Sequence, residues 1–301
     1  MSKFDILCIG SVLWDIVGRT RHDMRIGSDQ PGRITRLPGG VAMNIAMTLT
    51  RFDLTPALLT AIGRDAPGAE LTQAARDMGM NCDFIHYPND LPTDVYMAIE
   101  APFGLVAALA DAHTLEAAGD AILTPLTDER LGSAQAPFAG LMALDGNLTV
   151  DLLERIATAP AFAAADLRAA PASPGKARRL RVLHTHPRAT LYVNREEAGL
   201  LTDADYPDAE TAARGMIAAG FGRVLVTDGA APAAECNGKD SFSCPAPKVP
   251  QNRVTGAGDT FMAAHIAAEH RGKNAREALE IAQKTAARYV SGEEHDFTFL
   301  L

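Results

Sequence analysis

Short apolar runs alternate along this chain with segments of helical periodicity, and this alternation restricts the fold more than any other feature. Unbroken apolar runs are typical of strands buried on both faces of a parallel sheet. Five such runs are "FDILCIG" (4–10), "TPALLTAIG" (55–63), "GLMALDG" (140–146), "ATLYVN" (189–194) and "RVLVTDG" (223–229). Helical patterns lie between them, as in "PGGVAMNIAMTLTRF" (38–52). Repeated βα units predict a doubly wound α/β fold, with a mostly parallel sheet and helices on both faces.

One segment departs from this alternation. Residues 93–112 hold two β-like runs around "EAPFG", a turn rich in proline and glycine, and so predict an antiparallel hairpin. The alanine-rich residues 159–180 are biased in composition, but their leucine and arginine content does not indicate a disordered tail. No element is assigned to them.

The composition excludes several classes of function. The chain has 301 residues, 47% of them hydrophobic and 22% charged, which is typical of a soluble globular protein. A net charge of −9 without a long basic run argues against a nucleic-acid partner. No apolar run reaches the roughly 18 residues that a membrane span needs, and "MSKFDILCIGS" is not a signal peptide. Four cysteines without a CxxC pair favour a reducing, cytoplasmic location.

A glycine-rich octet near the end of the chain, "VTGAGDTF" (254–261), carries the clearest chemistry. The dinucleotide fingerprint GxGxxG would need glycine at Phe261 and would normally follow the first strand. The P-loop pattern GxxxxGK[ST] matches none of the Gly-Lys pairs of the chain. Neither pattern therefore explains the octet.

The remaining chemical interpretation is a phosphate cradle at the start of a helix. Small residues at 256–258 let backbone N–H groups approach an anion, and the helix terminus adds a positive dipole end. Asp259 would then lie in the first helical turn, where its ionised form is favoured and can accept a hydroxyl proton. Such a pairing suits phosphoryl transfer. A glycine turn followed by an ordinary aspartate N-cap is the structural alternative, and the octet alone leaves both open.

Five segments together resemble the PfkB (ribokinase-like) family of sugar and nucleoside kinases. These are "PGGVAMNIAMTLTRF", "AIGRDAPGAEL", "YVNREEAGLL", "VLVTDG" and "VTGAGDTF", which occur in the family's order across nearly the whole chain. The resemblance implies one kinase domain over residues 1–301 that uses ATP and Mg²⁺. It also implies that segments 15–38 and 93–112 form a small β lid over the sugar. Such a lid excludes water, which would otherwise compete as phosphoryl acceptor.

The resemblance also assigns roles to individual residues. Asp259 would be the catalytic base, and the anion hole would consist of Gly256, Ala257 and Gly258. Mg²⁺ would be organised through water by Asn194 and Glu197. The nucleotide site would contain Thr227, Gly229 and Thr255.

The sugar hydroxyls would be held by Asp15, Gly39, Gly40 and Asn44. A carboxylate and an amide can each bind vicinal hydroxyls. Asn44 lies one helical turn beyond Gly40, so both can face the same cleft.

Two positions depart from the family pattern. Many relatives carry, six residues before the catalytic aspartate, an aspartate that helps to bind a monovalent cation, whereas this chain has Arg253. A cation beside a guanidinium is electrostatically unfavourable, so we expect weak or no K⁺ activation. Pro232 stands where a glycine commonly follows "TDG", which puts the usual turn there in doubt.

The acceptor is indicated by two segments. "AAPASPGKARRLRVL" and "FGLVAALADAHTLEAAG" resemble stretches of pseudouridine kinases, with Ala170 where glutamate is usual. A pseudouridine 5′-kinase is therefore the first expectation. Ribokinase-, adenosine kinase- or fructokinase-type activity and a non-catalytic sugar- or nucleoside-binding regulator are the alternatives. Lid strands in this family often pair between subunits, which implies a homodimer.

Overall fold

The central sheet has eight strands, and its six parallel strands are neighbours. The computed structural model describes residues 4–293 and 297. Their strands are β1 (Ile6–Ile9), β2 (Leu13–Thr20), β3 (Gly32–Gly39), β4 (Pro56–Leu59), β5 (Val95–Ala101), β6 (Gly104–Asp111), β7 (Leu141–Asp145), β8 (Asp166–Ala170), β9 (Ala189–Asn194), β10 (Arg223–Asp228), β11 (Ala231–Cys236) and β12 (Ser241–Cys244). The order in the central sheet is β12-β11-β10-β9-β8-β7-β1-β4, and only the β11 and β12 pairings are antiparallel.

Helices cover both faces of the central sheet. The α-helices of the described residues are α1 (Val41–Thr50), α2 (Ala66–Asp77), α3 (His113–Ala118), α4 (Val150–Thr158), α5 (Arg195–Thr202), α6 (Ala209–Ala218), α7 (Ala257–His270) and α8 (Ala275–Val290). In β1, Ile6 and Cys8 pack with α1, α2, α7 and α8, whereas Leu7 and Ile9 pack with α3 to α6. Because successive side chains point to opposite faces, this unbroken apolar strand serves two cores, as the sequence predicts.

A second, smaller sheet stands beside the first, in the order β3-β2-β5-β6. The predicted hairpin at 93–112 is present as antiparallel β5 and β6, and β2 joins it through a parallel pairing with β5. Trp14 connects this sheet to α2, since its indole N–H donates to the Pro67 carbonyl at 2.9 Å. Segments 15–38 and 93–112 therefore contribute strands to one separate sheet.

The alanine-rich residues 159–180 contain the central strand β8, to which the sequence analysis assigned no element. Two 3₁₀ helices, Pro160–Phe162 and Pro174–Thr185, flank it, and a third spans Gly119–Leu126. β8 carries Arg168, which is 6% exposed and pairs with Asp166 and Glu269. Pairing with these two carboxylates thus allows an arginine to be buried within the sheet layer.

No helix within residues 4–293 is long and apolar enough to cross a membrane.

Candidate active site

The candidate site lies at the carboxyl ends of the parallel strands, where open α/β sheets bind their ligands. Asp145 ends β7, Asn194 ends β9, and Ser11 lies two residues beyond the end of β1. Ser11 also contacts the start of α1, because its Oγ accepts the Val41 N–H at 2.9 Å. The N-terminus of α7 reaches the same edge through a contact between Asp259 and α1.

Asn44 on α1 and Asp259 on α7 form that contact. The Asn44 amide Nδ2 donates to Asp259 Oδ2 at 2.9 Å, although the two residues are 215 positions apart. Asp259 is half-buried. Burial raises its pKa to about 7, against the lowering effect of the Asn44 hydrogen bond. The ionised form is therefore disfavoured, contrary to the prediction from the helix start alone. The fold therefore sets a carboxylate that titrates near neutrality at the first turn of a helix.

Two glycines in front of Asp259 differ in their surroundings. Gly256 adopts a left-handed conformation (φ 84°), and a Cβ there would come within 2.5 Å of the Tyr289 hydroxyl. A Cβ on Gly258 would meet no atom within 4 Å. Between them, the Ala257 N–H donates to the Val254 carbonyl at 3.0 Å. Of the three predicted anion-hole residues, Ala257 thus already has an internal hydrogen bond, whereas Gly258 faces open space.

Asp15 lies directly over the Gly39–Gly40 turn. A Cβ on Gly39 would come within 2.1 Å of Asp15 Oδ2, so only glycine leaves room for the carboxylate. Gly40 (φ 94°) precedes the first residue of α1 and packs against the Ser11 carbonyl. Burial raises the pKa of Asp15 to about 6. The glycine pair therefore brings Asp15 beside the N-terminus of the helix that carries Asn44.

Asn194 and Glu197 form a capping box at the start of α5. The Asn194 side chain accepts the Glu197 N–H at 2.8 Å, and Glu197 Oε2 accepts the Asn194 N–H at 2.8 Å. Burial raises the pKa of Glu197 to about 7, although the hydrogen bond from Asn194 opposes this rise. Electrostatic repulsion links Glu197 to Asp259, because Glu197 contributes to the raised pKa of Asp259. The NxxE segment is therefore close enough to Asp259 to influence its ionisation.

Two of the three predicted nucleotide residues, Thr227 and Gly229, lie at the end of β10, the strand next to β9. Thr227 is the parallel register partner of Asn194. Gly229 (φ 56°) follows the end of β10, and a Cβ there would meet no atom within 4 Å. Thr255 is exposed, and its carbonyl accepts the Tyr289 hydroxyl at 2.8 Å. Thr227 is thus adjacent to the capping box, while Thr255 belongs to the loop before α7.

Pro232 is accommodated by an irregularity in the sheet. It is exposed in β11, opposite a register shift between Val226 and Asp228 of β10. Because proline cannot donate to the ladder, a bulge is one of the few places where a sheet tolerates it.

Arg253 packs against the C-terminal end of α8. Its guanidinium lies 3.5 Å from the centroid of the Tyr289 ring. Its Nε donates to the Tyr289 carbonyl at 3.0 Å, and its backbone N–H donates to the Val290 carbonyl. A fixed positive charge therefore lies at the negative end of the α8 dipole.

Sequence reasoning missed a partly buried polar cluster beside the site. The cluster consists of Ser11, Asp145, Asn147 and Lys176. Asp145 is fully buried and accepts hydrogen bonds from Ser11 and from Asn147. Burial raises the pKa of Asp145, and these hydrogen bonds oppose the rise. The only sequence signal was a polar "DGN" directly after a buried strand.

A second missed network fixes α7 on the sheet. Glu269 of α7 pairs with Arg168 at 2.5 Å and with Arg223 at 2.6 Å, and His265 contacts the Tyr192 hydroxyl at 2.9 Å. Burial raises the pKa of Glu269, but His265 and the two guanidiniums outweigh it and lower the pKa to about 2. Since α7 also carries Asp259, the network holds the helix that presents the carboxylate.

No group of three or more His, Cys, Asp or Glu side chains within the described part of the chain is arranged to hold a metal ion directly.

Known proteins resemble the chain along nearly its whole length. Residues 3–296 match the model of the pfkB family of carbohydrate kinases. The pseudouridine kinase of Escherichia coli (strain K12) is 26% identical over 307 residues, which cover 96% of this chain and 91% of that protein.

Solved structures share the fold. A carbohydrate kinase from Agrobacterium tumefaciens gives a TM-score of 0.81 at 27% identity and covers 98% of this chain and 95% of its own. Arabidopsis thaliana ribokinase, solved with ribose and ATP, gives 0.78 at 19% identity and covers 99% and 98%. At that lower identity the likeness shows the fold alone.

Proposed function

Because the chain belongs to the pfkB family of carbohydrate kinases, we propose that it transfers the γ-phosphoryl group of ATP to the 5′-hydroxyl of pseudouridine. Membership of that family makes the protein a phosphotransferase with an alcohol acceptor. The hydrogen bond between Asn44 and Asp259 carries the site assignment, because it joins the acceptor helix to the helix that starts at the glycine loop.

Pseudouridine as acceptor rests on two observations. The stretch "AAPASPGKARRLRVL" resembles that of pseudouridine kinases, and the E. coli enzyme of that name is 26% identical over 96% of the chain. The 27% identical Agrobacterium protein is described as a carbohydrate kinase, which favours a simple sugar as the second candidate.

Asp259 is the general base of the proposed reaction. With a pKa near 7, a substantial fraction is ionised at neutral pH, and the group remains basic enough to take a hydroxyl proton as the bond to phosphorus forms. The Asn44 amide donates to Oδ2, which leaves Oδ1 to accept from the acceptor hydroxyl. Asp15, Gly39, Gly40 and Asn44 form the acceptor side.

The α7 N-terminus would stabilise the charge of the moving phosphoryl group. A Cβ on Gly258 would meet no atom within 4 Å, so an anion can approach the helix start on that side. Ala257 would have to exchange its hydrogen bond with Val254 for one with the anion. Gly256 supplies the left-handed turn that begins the helix.

The residues present fit a hydrated magnesium ion. Within the described residues only one Glu197 oxygen, Oε2, has a hydrogen bond, so Oε1 can accept from a metal-bound water. Asn194 fixes the orientation of Glu197 through the capping box. When bound with ATP, Mg²⁺ would neutralise phosphate charge. Thr227, Gly229 and Thr255 are proposed for the nucleotide itself.

A homodimer through the small sheet is the proposed assembly. Seven of the eleven exposed large hydrophobic side chains in the described residues belong to its strands. Met97 and Leu109 are register partners, and Ile34 and Ile99 both pair with Gly18, so these four lie on one face. A contiguous exposed apolar face of this kind marks an interaction surface.

Turnover of ATP with a panel of acceptors tests the proposal. Purified protein with Mg²⁺ and ATP is offered pseudouridine, uridine, adenosine, ribose and fructose, and the products are identified by mass spectrometry. We expect pseudouridine 5′-phosphate as the main product. Faster phosphorylation of ribose or fructose would reject pseudouridine but keep the kinase. Ligand binding without ATP consumption for any acceptor would reject catalysis and indicate a binding regulator.

A further inference from the structure

The 3₁₀ segment Pro174–Thr185 carries four lysine or arginine residues, and one of them differs from the rest in its charge pairing. Its three arginines pair with carboxylates: Arg178 and Arg181 with Asp203, and Arg179 with Glu116. Lys176 is half-buried, and among residues 4–293 and 297 it has no carboxylate within ion-pair distance. A partly buried ammonium whose charge no carboxylate offsets is suited to pair with an anionic ligand.

Asn147 holds Lys176 in place. The Lys176 Nζ donates to Asn147 Oδ1 at 2.5 Å. The other end of the same amide is fixed, since its Nδ2 donates to Ser11 Oγ at 3.0 Å and to Asp145 Oδ2 at 3.2 Å. The carbonyl end therefore has to face Lys176. One of three ammonium donors is used in this way, and two remain for a ligand.

The nearby Asp145 carboxylate does not serve as the counter-ion. Its Oδ2 accepts the Ser11 N–H at 2.7 Å and the Ser11 hydroxyl, and its Oδ1 accepts the Asn147 N–H at 2.7 Å. Gly146 lets the β7 loop pack closely on the β8 loop, because a Cβ there would come within 2.8 Å of the Pro171 and Ala172 backbone. The cluster is thus built to position Lys176 and not to neutralise it.

The position of Lys176 lies between the two halves of the site. Lys176 follows β8. In the sheet, β8 lies between β7 and β9: β7 neighbours β1 on the acceptor side, and β9 ends at Asn194. Asp15, Glu197 and Asp259 give this edge an excess of negative charge. We infer that Lys176 binds the γ-phosphoryl group of ATP during its transfer, and this inference rests on the proposed kinase function. The ammonium would offset charge on the phosphoryl oxygens beside these carboxylates.

A comparison of ATP binding with ADP binding isolates the contribution of the γ-phosphate. Calorimetry with Mg²⁺ would compare ATP and ADP on wild type, Lys176→Met and Lys176→Arg. We expect Lys176→Met to weaken ATP binding by about tenfold and to leave ADP binding unchanged, since a charge-assisted contact to one phosphate is lost. Its kcat should fall by about 100-fold with an unchanged acceptor KM, and Lys176→Arg should recover part of the loss.

Arg178→Met is the matched control, since Arg178 is exposed on the same segment and pairs with Asp203; its ATP and ADP affinities should equal those of wild type. Equal losses for ATP and ADP, or no loss for either, would overturn the inference. A raised acceptor KM with unchanged kcat would also overturn it and place Lys176 on the acceptor. If wild type binds ATP but turns over no acceptor, the kinase proposal fails, while the ATP–ADP comparison still decides the role of Lys176.

Discussion

Asp259 combines a raised pKa with a fixed orientation, and both come from its neighbours. Burial and the carboxylates of Asp145, Glu197 and Asp15 disfavour its ionised form, whereas the Asn44 amide favours it. A carboxyl held near neutrality is a stronger base than an ordinary aspartate, and it still ionises at physiological pH. Glycine spacing alone could predict an acid at the helix start, but not this balance.

The pH dependence of kcat/KM follows from that balance. The base must be deprotonated, so kcat/KM should rise with pH up to about 7, the pKa of Asp259 in the free protein, and then level off. Acceptor and ATP must both be held at concentrations well below KM across the series. A profile that is already flat at pH 5 would contradict a base of this pKa.

Substitution by alanine should have different effects at Gly256 and at Gly258. Gly256→Ala forces a side chain into a left-handed conformation and against Tyr289, so the free energy of unfolding should fall by about 1–3 kcal/mol. Gly258→Ala meets no atom and lies in a helix, so stability should hold or rise by about 0.5 kcal/mol. Its methyl group would obstruct the anion, so kcat/KM should fall by about 100-fold.

Denaturant unfolding and steady-state kinetics on the two alanine variants check this contrast. Full activity in Gly258→Ala would remove Gly258 from the phosphate site.

Arg253 sets a permanent positive charge beside Tyr289, shortly before the glycine loop. We therefore expect K⁺ to leave the rate unchanged when KCl replaces choline chloride at constant ionic strength, which separates specific binding from screening. A many-fold increase on adding K⁺ to K⁺-free enzyme would show that the guanidinium does not substitute for a cation.

At the scale of elements, the sequence predicted the central-sheet strands that are apolar without a break and missed the other strands of that sheet. β1, β4, β7, β9 and β10 are such runs, and the helix predicted after Gly40 begins at Val41. β8 escaped because alanine has little strand preference and because its Arg168 is compatible with burial only through Asp166 and Glu269. β11 contains a proline, which argues against a strand unless the bulge is known.

The same distinction holds within the site. The family resemblance named Asn44 and Asp259 separately, and the structure joins them across 215 residues. The cluster of Ser11, Asp145, Asn147 and Lys176 joins the ends of β1 and β7 to the 3₁₀ segment Pro174–Thr185, and only the polar "DGN" marks it in the sequence. Arg168 and Glu269 likewise fix α7 through a pairing 101 residues apart. Long-range polar contacts of this kind follow from the fold and not from periodicity.

The whole molecule consists of an α/β core and a small sheet with an apolar face. A homodimer through this face predicts that Leu109→Asp shifts the protein toward monomer, because a carboxylate would be buried in the interface without a partner. Val150→Asp is the control, since Val150 is 43% exposed on α4, away from the small sheet. Sedimentation velocity over a range of concentrations measures both. An unchanged dimer in Leu109→Asp, or a monomeric wild type, would exclude this interface.

The central claim is that Asp259 activates an alcohol for phosphoryl transfer. Single-turnover phosphorylation of pseudouridine by wild type and Asp259→Asn tests it most directly. Asparagine keeps the shape of the side chain and removes a carboxylate that Asp15, Asp145 and Glu197 repel. The variant should therefore be folded and bind ATP. We predict a loss of rate of about 100-fold or more, in the range that general base catalysis contributes. A variant that phosphorylates the acceptor at the wild-type rate would contradict the account.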